Sequence, residues 1–352
     1  MPASTARSPG YRRAVPTVPA FDRPDGCSGV ASVLQSLGVE SAARPIVSVV
    51  IVSDYASGEP DGWQDLRATL RGLAGQDCGE AAEYLLVESA TIAPHIPAGL
   101  IDLRPGLRVV VVDEQSAAAL KNAGALAARA ELVAMIDGDC VPAPDWLRQL
   151  VDAMRVRPAA AATSGQTTYG GAGIVARSMA VVNRAFLDVG RLAPTRHLTM
   201  NNCILRRPVL LAHPIPAAAA THMSMLQAAA IQEAGGQLWV EPAARVRHAY
   251  DGWSTERQIR RSIGYGVIAT RRLNPRLPYA SLARLGYLSV ALFVVLRTLH
   301  SWWLAVQRGR RYGIRWYELP VTFGLSAAAC GMEVPGMIRA VRGLPPPPTR
   351  FR

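Results

Sequence analysis

The sequence predicts an α/β protein with a nucleotide-binding type of sheet flanked by helices, followed by a basic and hydrophobic helical region. Short apolar runs rich in β-branched residues alternate with helical patterns between residues 45 and 250, as in proteins built from βαβ units. Three of the first four apolar runs end in acidic or hydroxyl residues, which is typical of nucleotide-binding sheets. After residue 250, arginine-rich stretches alternate with two longer apolar runs.

The composition allows one large domain with an appendage. Of the 352 residues, 50% are hydrophobic and 18% are charged, so a sizeable core is expected. The formal net charge is +12 and the pI is about 10.1, which fits an anionic membrane surface, an anionic substrate or nucleic acid. The five cysteines lie far apart without zinc-ligand spacing, so a reducing compartment without a disulfide framework is expected.

Both ends of the chain have the composition of disordered segments. Residues 1–44 are rich in Pro, Ser, Ala and Arg and lack the apolar core of a signal peptide. We expect a disordered leader there, with room for one short helix near Val30–Leu37. Residues 343–352 are Pro-rich and are expected to form a second disordered segment.

The first half of the folded region reads as β-α-β-β-α-β. Pro45–Ser53 is dense in β-branched residues and predicts a buried strand. A helix follows over Trp63–Leu73, because its large apolar residues recur at helical spacing on one face. The next predicted elements are strands over Glu83–Val87 and Leu107–Val112, an Ala-rich helix over Ser116–Ala130 and a strand over Leu132–Ile136.

The second half contains weaker signals. In chain order, we expect a helix over Ala143–Met154, a glycine-rich loop over Gly165–Gly173, a helix over Ala176–Val189, a short apolar segment over Asn201–Leu205, a helix over Met223–Glu233 and strands over Leu238–Val240 and Ala244–Val246. No Gly-x-Gly-x-x-Gly follows the first strand and no Walker A sequence occurs, so dinucleotide and P-loop sites are disfavoured.

Two carboxylates, Asp137 and Asp139, follow the buried strand Leu132–Ile136 and are separated by Gly138. The carboxyl ends of strands in open α/β sheets are where ligands bind. Two carboxylates one residue apart at this edge suit a hard divalent cation, whose other partners would be water and phosphate oxygens. The alternative is that Asp-Gly-Asp is only a turn, because both residue types favour turns.

The region from residue 251 to 342 combines arginines with two apolar runs, Leu285–Leu296 and Leu319–Met332. Each run is shorter than the ~20 residues that cross a bilayer. A spanning hairpin would also put the basic connection between them opposite the first domain, against the positive-inside preference. We therefore expect interfacial helices on an anionic membrane surface. The alternative is a buried helical subdomain of a soluble protein.

The ordered set of motifs resembles the family 2 glycosyltransferases, inverting enzymes with the glycosyltransferase A fold. This resemblance implies a mixed nucleotide-binding sheet flanked by helices over residues 45–250, with the C-terminal helices as an appendage. The segments that resemble the family are Pro45–Val52 as its first strand, Lys121–Gly124 as its Arg-Asn-x-Gly segment with Lys for Arg, Asp137–Leu147 as its Asp-x-Asp motif, Asn202–Arg207 as its acceptor-side segment and Glu241–His248 as its domain end.

The resemblance also implies roles for residues on the nucleotide side. Val52 and Ser53 would contact the base through backbone groups, and Glu88 stands where the family has a base-binding Asp. Lys121 would lie near the base or the phosphates. The donor implied is a nucleotide diphosphate-sugar, and nucleic acid is disfavoured because the arginines cluster beside apolar runs.

For the metal, the resemblance implies Mg²⁺ or Mn²⁺. Asp137 would face the ribose and the metal, Asp139 would ligate the metal directly and His248 would be a further ligand. The cation would neutralise the leaving diphosphate as a Lewis acid. The alternative for His248 is a strand-end histidine that bonds to the backbone.

The expected catalytic base is the point at which this chain departs from the family. The family has an acidic pair before the helix Met223–Glu233, but this chain reads Ala-Ala-Thr-His-Met-Ser over residues 219–224, and residues 189–232 contain no Asp or Glu. His222 is the candidate base at that position, since imidazole titrates near neutral pH. An unusual acceptor, a base from elsewhere or an inactive relative would explain the same departure.

The sequence therefore predicts a metal-dependent glycosyltransferase on the cytoplasmic face of a membrane, acting on a cell-envelope, polysaccharide or lipid-linked acceptor. The main alternative is a non-catalytic relative that binds a nucleotide sugar or a glycan in an envelope assembly. A sugar-1-phosphate nucleotidylyltransferase is disfavoured, because the residues after Ser53 do not form a glycine-rich loop.

Overall fold

The computed structural model describes residues 44–53, 63–79, 81–171, 173–216 and 222–349. The predicted leader, with its short helix near Val30–Leu37, lies outside the described residues. Residues 344–349, in the Pro-rich tail, contain no helix or strand.

The described residues form a mixed nine-stranded sheet with helices around it. The strands are β1 (Val47–Val52), β2 (Ala82–Ser89), β3 (Leu107–Val112), β4 (Leu132–Asp137), β5 (Cys140–Pro142), β6 (Ala160–Tyr169), β7 (Ala193–Pro194), β8 (Asn202–Arg206) and β9 (Gln237–His248). The α-helices are α1 (Gln64–Ala74), α2 (Ala98–Ile101), α3 (Ala117–Ala127), α4 (Trp146–Arg155), α5 (Ile174–Arg184), α6 (Arg207–Ala212), α7 (Met223–Glu233), α8 (Trp253–Leu273), α9 (Tyr287–Arg308), α10 (Leu319–Met332) and α11 (Val334–Val341). Short 3₁₀ turns lie at Ala93–His95, Leu282–Arg284, Gly309–Tyr312 and Trp316–Glu318.

The strand order is β3-β2-β1-β4-β8-β6-β9-β5, and β7 pairs with β9. The first four strands of this order run parallel, whereas β8 runs antiparallel to β4. In the parallel half, Val52 lies opposite both Val87 and Asp137. The residues that follow β1, β2 and β4 therefore meet at one edge of the sheet, as the β-α-β-β-α-β pattern predicted.

Apolar side chains cover both faces of the sheet. Every residue of β1 is buried, because successive side chains of a strand point to opposite faces and helices pack on both. Val49 and Ile51 belong to the core that includes the helices α1 and α4, and Val50 and Val52 belong to the core that includes α3 and α7. This double burial explains why β1 reads as a continuous run of β-branched residues.

The predicted glycine-rich loop at Gly165–Gly173 is wrong, because β6 continues as a strand to Tyr169. The register of β6 against β9 shifts between Gly165 and Gln166. A Cβ on Gly165 would lie 2.2 Å from the carbonyl oxygen of Ala244, so only glycine lets the strands approach this closely. The Asn202 amide donates to the backbone of Gln166 and Ala244 beside this bulge, and it accepts a hydrogen bond from Trp146 at 2.8 Å.

Other predicted elements differ mainly in their bounds. The predicted strands Leu238–Val240 and Ala244–Val246 are parts of one strand, β9, because β9 pairs with β6 on both sides of the bulge that separates them. The predicted helices at Ala143–Met154 and Ala176–Val189 are α4 and α5, and the prediction for α7 is confirmed at both ends. Trp63, the predicted first residue of the helix, instead precedes α1 in the left-handed conformation, with φ 64°. The spacing of apolar residues does not reveal this conformation.

Helices α8 and α11 pack closely because glycines remove side chains from their contact. A Cβ on Gly264 would lie 2.0 Å from the carbonyl oxygen of Glu333, and a Cβ on Gly336 would lie 1.9 Å from that of Arg261. The two backbones therefore touch at these glycines. Arg177 joins α5 to the C-terminal region through a 2.7 Å ion pair with Glu318.

A buried ion-pair network lies where α8, α9 and α11 meet. The Arg260 guanidinium is fully buried and contacts Glu256 at 2.6 Å and Glu333 at 3.2 Å. Glu333 also accepts from Arg297 at 2.6 Å, and Asn183 of α5 accepts from Arg260 at 2.6 Å. Two arginines balance two carboxylates, so removing one member would leave a buried charge without its partner.

Two segments, Tyr287–Tyr312 and Trp316–Val341, are long and apolar enough to cross a membrane, judged by length and composition alone. Only 33% and 39% of their most apolar stretches are buried inside the protein. The core helix of a soluble protein would be mostly buried, so much of this apolar surface faces outward.

The helix contact at Gly264 gives a stability prediction. We expect Gly264→Ala to lower the thermal midpoint by several degrees, because a methyl group against a fixed backbone carbonyl costs about 1–3 kcal/mol. Gly324→Ala is the matched control, because nothing lies within 4 Å of a Cβ there. It should be neutral or stabilise by up to ~1 kcal/mol. Equal midpoints for the two variants would contradict this contact.

Candidate active site

The edge formed by the ends of β1 and β2 carries a buried carboxylate. Glu88 is fully buried, accepts a hydrogen bond from the Ser53 hydroxyl, and accepts another from its neighbour Ser89 N–H at 2.6 Å. The Val52 carbonyl accepts from the Gly138 N–H at 2.8 Å. The residues predicted to contact a base are thus together, and they precede residues 54–62, which lie outside the described part of the chain.

Lys121 faces the first carboxylate of the Asp-Gly-Asp motif. Its ammonium is buried and lies 2.5 Å from Asp137 Oδ1. Burial lowers the pKa of Lys121, but the attraction of Asp137 outweighs it and the net pKa is raised. Lys121 is therefore a fixed cation beside Asp137. The sequence analysis did not predict this pair.

The other residues of Lys121–Gly124 hold this helix in place. The Asn122 amide donates to the Ile215 carbonyl and accepts from the Ile215 N–H, both at 2.9 Å. A Cβ on Gly124 would lie 2.4 Å from a methyl group of Val50, so α3 lies directly against β1. These two contacts fix the helix that presents Lys121.

A tight turn separates Asp137 from Asp139. The Thr69 hydroxyl donates to the carbonyl oxygens of Gly138, at 2.8 Å, and of Cys140, at 3.1 Å. A Cβ on Gly138 would lie 3.1 Å from the Ser53 backbone. This turn directs the chain from β4 into β5, so that Asp139 lies beside β9 rather than beside β1.

Asp139 and His248 come together because β5 pairs antiparallel with the end of β9, where Cys140 lies opposite His248. His248 Nε2 is 3.1 Å from Asp139 Oδ2, and the Ala249 N–H donates to the Asp139 carbonyl at 2.9 Å. Three possible ligand atoms lie within 4.8 Å of one another, one each from Asp139, Cys140 and His248. Carboxylate oxygen and imidazole nitrogen suit Mn²⁺ well, so these residues fit a divalent cation.

The second nitrogen of His248 is also engaged. Its Nδ1 lies 2.6 Å from the Ala249 carbonyl oxygen, which fixes a proton on Nδ1 and leaves the lone pair of Nε2 free to coordinate a cation. The backbone bond predicted as the alternative role of His248 therefore coexists with its contact to Asp139. Asp137 is not one of the three clustered residues, because its carboxylate faces Lys121.

Sequence reasoning missed two residues of this site: Cys140, which belongs to the cluster, and Tyr169, which lies beside it. Burial raises the pKa of the Cys140 thiol well above its usual range, and Asp139 and Asp137 raise it further. The Tyr169 ring lies 5.3 Å from the His248 ring, and its hydroxyl accepts from Asn183 at 2.7 Å. Burial raises the pKa of Tyr169 to about 12. Tyr169 was missed because its segment was predicted as a loop.

His222 precedes α7, at the position where a base was expected. A Cβ on Gly266 would lie 2.7 Å from His222 Nδ1, so the ring packs on α8. Burial lowers the pKa of His222 to about 3, and Arg297 and Arg271 lower it further. Its Nδ1 is buried and has no hydrogen-bond partner among the described residues, which resume at His222 after a gap over 217–221. The imidazole is therefore neutral across the physiological pH range.

The arginines of Asn202–Arg207 lie away from the two aspartates. Arg206 lies opposite Leu132, the first residue of β4, and donates to the carbonyls of Ala160 and Pro158. Arg207 donates to the carbonyls at the end of α3. Both guanidinium groups thus hold the backbone at the opposite end of the strands.

Comparison with known proteins supports the same fold. The sequence model described as glycosyl transferase family 2 matches residues 49–211, a range that contains Lys121 and Asp139 and ends before His222 and His248. No curated protein matches the chain in sequence. The chain is similar in structure to the mannosyltransferase PcManGT from Pyrobaculum calidifontis, solved in complex with GDP-Man and Mn²⁺, with a TM-score of 0.54 and 15% identity over 85% of this chain and 88% of that one.

The matched range includes most of the parallel half of the sheet and the Asp-Gly-Asp turn, and the structural likeness covers 85% of the chain. The chain therefore has a fold of the glycosyltransferase A type, and its residues 49–211 are similar to glycosyl transferase family 2.

Proposed function

We propose that this protein is a metal-dependent glycosyltransferase that moves a sugar from a nucleoside diphosphate-sugar to a lipid-linked or cell-envelope acceptor, with inversion. The observation that carries the proposal is the set of side chains at one sheet edge: buried Glu88 beside Ser53, the pair Lys121–Asp137, and Asp139 beside His248. The similar mannosyltransferase was solved with GDP-Man and Mn²⁺. A nucleotide-sugar and a divalent cation are the corresponding ligands proposed here.

On the nucleotide side, the residues would act by hydrogen bonding and charge. Glu88 would accept from a base N–H, aided by the backbone of Val52 and Ser53. Lys121 would orient Asp137 through their 2.5 Å ion pair, and it would place one positive charge near the donor. A carboxylate beside a fixed ammonium can accept from ribose hydroxyls.

On the diphosphate side, Asp139 and His248 would hold Mg²⁺ or Mn²⁺. When bound, the cation supplies charge neutralisation for the leaving diphosphate. The imidazole nitrogen in the set favours Mn²⁺ over Mg²⁺, which prefers oxygen ligands. The Tyr169 ring packs against the His248 ring at an angle of 48°, with the ring centres 5.3 Å apart, and would help to hold it in this position.

We propose that the C-terminal helices lie on a membrane surface, with the sheet on its cytoplasmic side. The outward face of α9 is apolar along its length, with exposed residues Leu288, Val295, Leu299, Trp303 and Val306. Exposed arginines flank this face at both ends, namely Arg284, Arg310 and Arg315. An apolar stripe with flanking arginines is the pattern of an interfacial helix.

Both ends of α9 are tied to the rest of the protein, which favours an interfacial over a spanning arrangement. Just before the helix, Arg272 of α8 donates to the Ala283 carbonyl at 3.1 Å. At its end, Arg308 donates to the Ala185 carbonyl at 2.5 Å, and Arg311 pairs with Asp188 at 2.9 Å. A spanning hairpin would carry the connection after α9 to the far side of the membrane, away from these partners.

A second candidate function is a non-catalytic protein that binds a nucleotide sugar or a glycan. The absence of Asp and Glu from residues 189–232 favours it, because inverting transfer needs a base that deprotonates the acceptor. Donor binding without transfer to any acceptor would distinguish this function from the first.

The metal role gives the first functional prediction. We expect calorimetry with Mn²⁺ to detect binding of a nucleoside diphosphate-sugar to the wild-type protein. Asp139→Ala should abolish this metal-dependent binding, and Asp139→Asn should retain part of it, because an amide oxygen still ligates. Asp152→Ala, which removes a carboxylate from the exposed side of α4, is the control. An unchanged affinity of Asp139→Ala for the nucleoside diphosphate-sugar would contradict the metal role.

The second functional prediction concerns binding to a membrane surface. Leu299→Asp, at a position 54% exposed on α9, should weaken binding to vesicles containing phosphatidylglycerol by about tenfold or more, because it removes buried apolar area and adds an anion. Leu126→Asp, at a position 68% exposed on α3, should bind like the wild type. High salt should weaken the wild-type binding. Extraction that requires detergent at every salt concentration would favour spanning helices instead.

The third functional prediction concerns the catalytic base, for which we propose His222. Because its pKa is about 3, the imidazole is already neutral, and the rate should not fall as pH drops from 8 to 5. His222→Ala should reduce turnover by about a hundredfold to ten-thousandfold, with donor affinity little changed. A pH–rate profile of sugar transfer tests this, with His95→Ala as a surface control. Turnover of His222→Ala equal to that of the parent would exclude this base.

A further inference from the structure

Helices α9 and α11 border an open apolar groove that is separate from the candidate active site. The groove has a volume of about 520 Å³, which lies within the roughly 300–1,000 Å³ of small-molecule sites. It is lined by five residues of α9 between Tyr287 and Val295 and by Val334 and Ile338 of α11. Apart from the Tyr287 hydroxyl, every lining side chain is an alkyl group, so the groove suits a hydrocarbon.

The floor of this groove is part of a packed core. Val290 is 8% exposed and belongs to one buried cluster with Phe293 and Met337, which are 2% and 0% exposed. Helix α11, one wall of the groove, is held against α8 by the glycine contacts at Gly264 and Gly336. Close-packed elements of this kind do not shift easily. The groove is therefore preformed rather than opened by its occupant.

One end of the groove is positively charged. Arg342 follows α11, is exposed, and donates from Nε to the Tyr287 hydroxyl at 3.1 Å. Arg339 lies one turn earlier on the same helix. Neither arginine forms an ion pair within the part of the chain that the structure describes, and residues 257–317 and 334–352 contain no Asp or Glu. An anionic group at this end would therefore meet cations without counter-charges.

The groove also continues the outward apolar face of α9. Val295 belongs both to the groove and to that face, and it is 56% exposed. A hydrocarbon chain that enters the groove from a membrane surface thus stays in contact with apolar groups, whereas a polar ligand would lose hydration there. The combination of an apolar groove and a cationic end matches an anionic lipid.

We propose that this groove binds one chain of an anionic phospholipid, with the lipid phosphate against Arg342 and the Tyr287 hydroxyl. The inference rests on the proposed membrane role and deepens it, because it names the class of lipid that the helices select. Arg342 uses only Nε for Tyr287, so its two terminal nitrogens remain for phosphate oxygens, which guanidinium groups bind well. Each chain methylene that leaves water strengthens the binding.

The experiment uses the full-length protein and short-chain lipids below the concentration at which they form micelles. Calorimetry measures the affinity for dihexanoyl and dioctanoyl phosphatidic acid, and for dioctanoyl phosphatidylcholine as a lipid without net charge. Ala291→Trp fills the groove from an exposed position, and Ala328→Trp, at an exposed position on α10, is its matched control. Arg342→Gln removes the charge at the groove, and Arg310→Gln removes the same charge from an exposed position after α9. Thermal unfolding first establishes that all variants fold.

We expect the wild type to bind the dioctanoyl phosphatidic acid about tenfold more tightly than the dihexanoyl one, because one chain buries roughly two more methylenes. This effect of chain length should disappear in Ala291→Trp and persist in Ala328→Trp. Arg342→Gln should weaken the binding of both phosphatidic acids by about tenfold to a hundredfold and leave the affinity for phosphatidylcholine unchanged. Arg310→Gln should match the wild type.

The same effect of chain length in Ala291→Trp as in the wild type would overturn the groove as the chain site. An unchanged affinity of Arg342→Gln for phosphatidic acid would overturn the phosphate contact, and a wild type that binds no short-chain lipid would overturn both. Sedimentation tests the other occupant: a wild-type dimer that Ala291→Trp dissociates would assign the groove to a second copy of this chain. Failure of the membrane role is distinguishable, because the wild type would then bind phosphatidic acid but no phosphatidylglycerol vesicles.

Discussion

The contact between Asp139 and His248 joins the two halves of the sheet, and the candidate site depends on it. Asp139 follows the central parallel strand β4, whereas His248 ends β9, and the pairing of β5 with β9 brings these two residues together. The Gly138 turn and the Thr69 hydroxyl direct β4 into β5. Strand β9 pairs with β6 on both sides of the irregularity at Gly165. A cation held between these residues would therefore link the parallel half of the sheet to its last strand.

The same region connects to the C-terminal helices through buried polar groups. The Tyr169 hydroxyl bonds to Asn183, and Asn183 bonds to Arg260, which shares Glu333 with Arg297 of α9. Each member is largely buried, so the geometry of the group is fixed by mutual hydrogen bonds. This arrangement explains why the C-terminal helices pack against the sheet while α9 keeps an apolar face outward. The proposed membrane surface and the proposed sugar-transfer site would then keep a fixed orientation.

The parallel half of the fold could be predicted from the sequence, because burial on both faces makes its strands read as apolar runs. The carboxylates Asp137 and Asp139 were found for the same reason, as polar residues that end such a run. Strand β6 was missed, because its small residues reflect close backbone approaches at Gly165 that only the fold creates. The pairing of Lys121 with Asp137 depends on a side-chain distance between separate elements, which no local pattern encodes.

We propose that Asp139 and His248 hold the cation of a nucleoside diphosphate site at this sheet edge. Crystals grown with Mn²⁺ and a nucleoside diphosphate, measured at the manganese absorption edge, test this role most directly. We expect one anomalous peak at bonding distance, about 2.0–2.3 Å, from an Asp139 oxygen and from His248 Nε2, with the diphosphate on the open side of the cation. A bound nucleotide with the manganese peak elsewhere, or without any peak between these two residues, would contradict it.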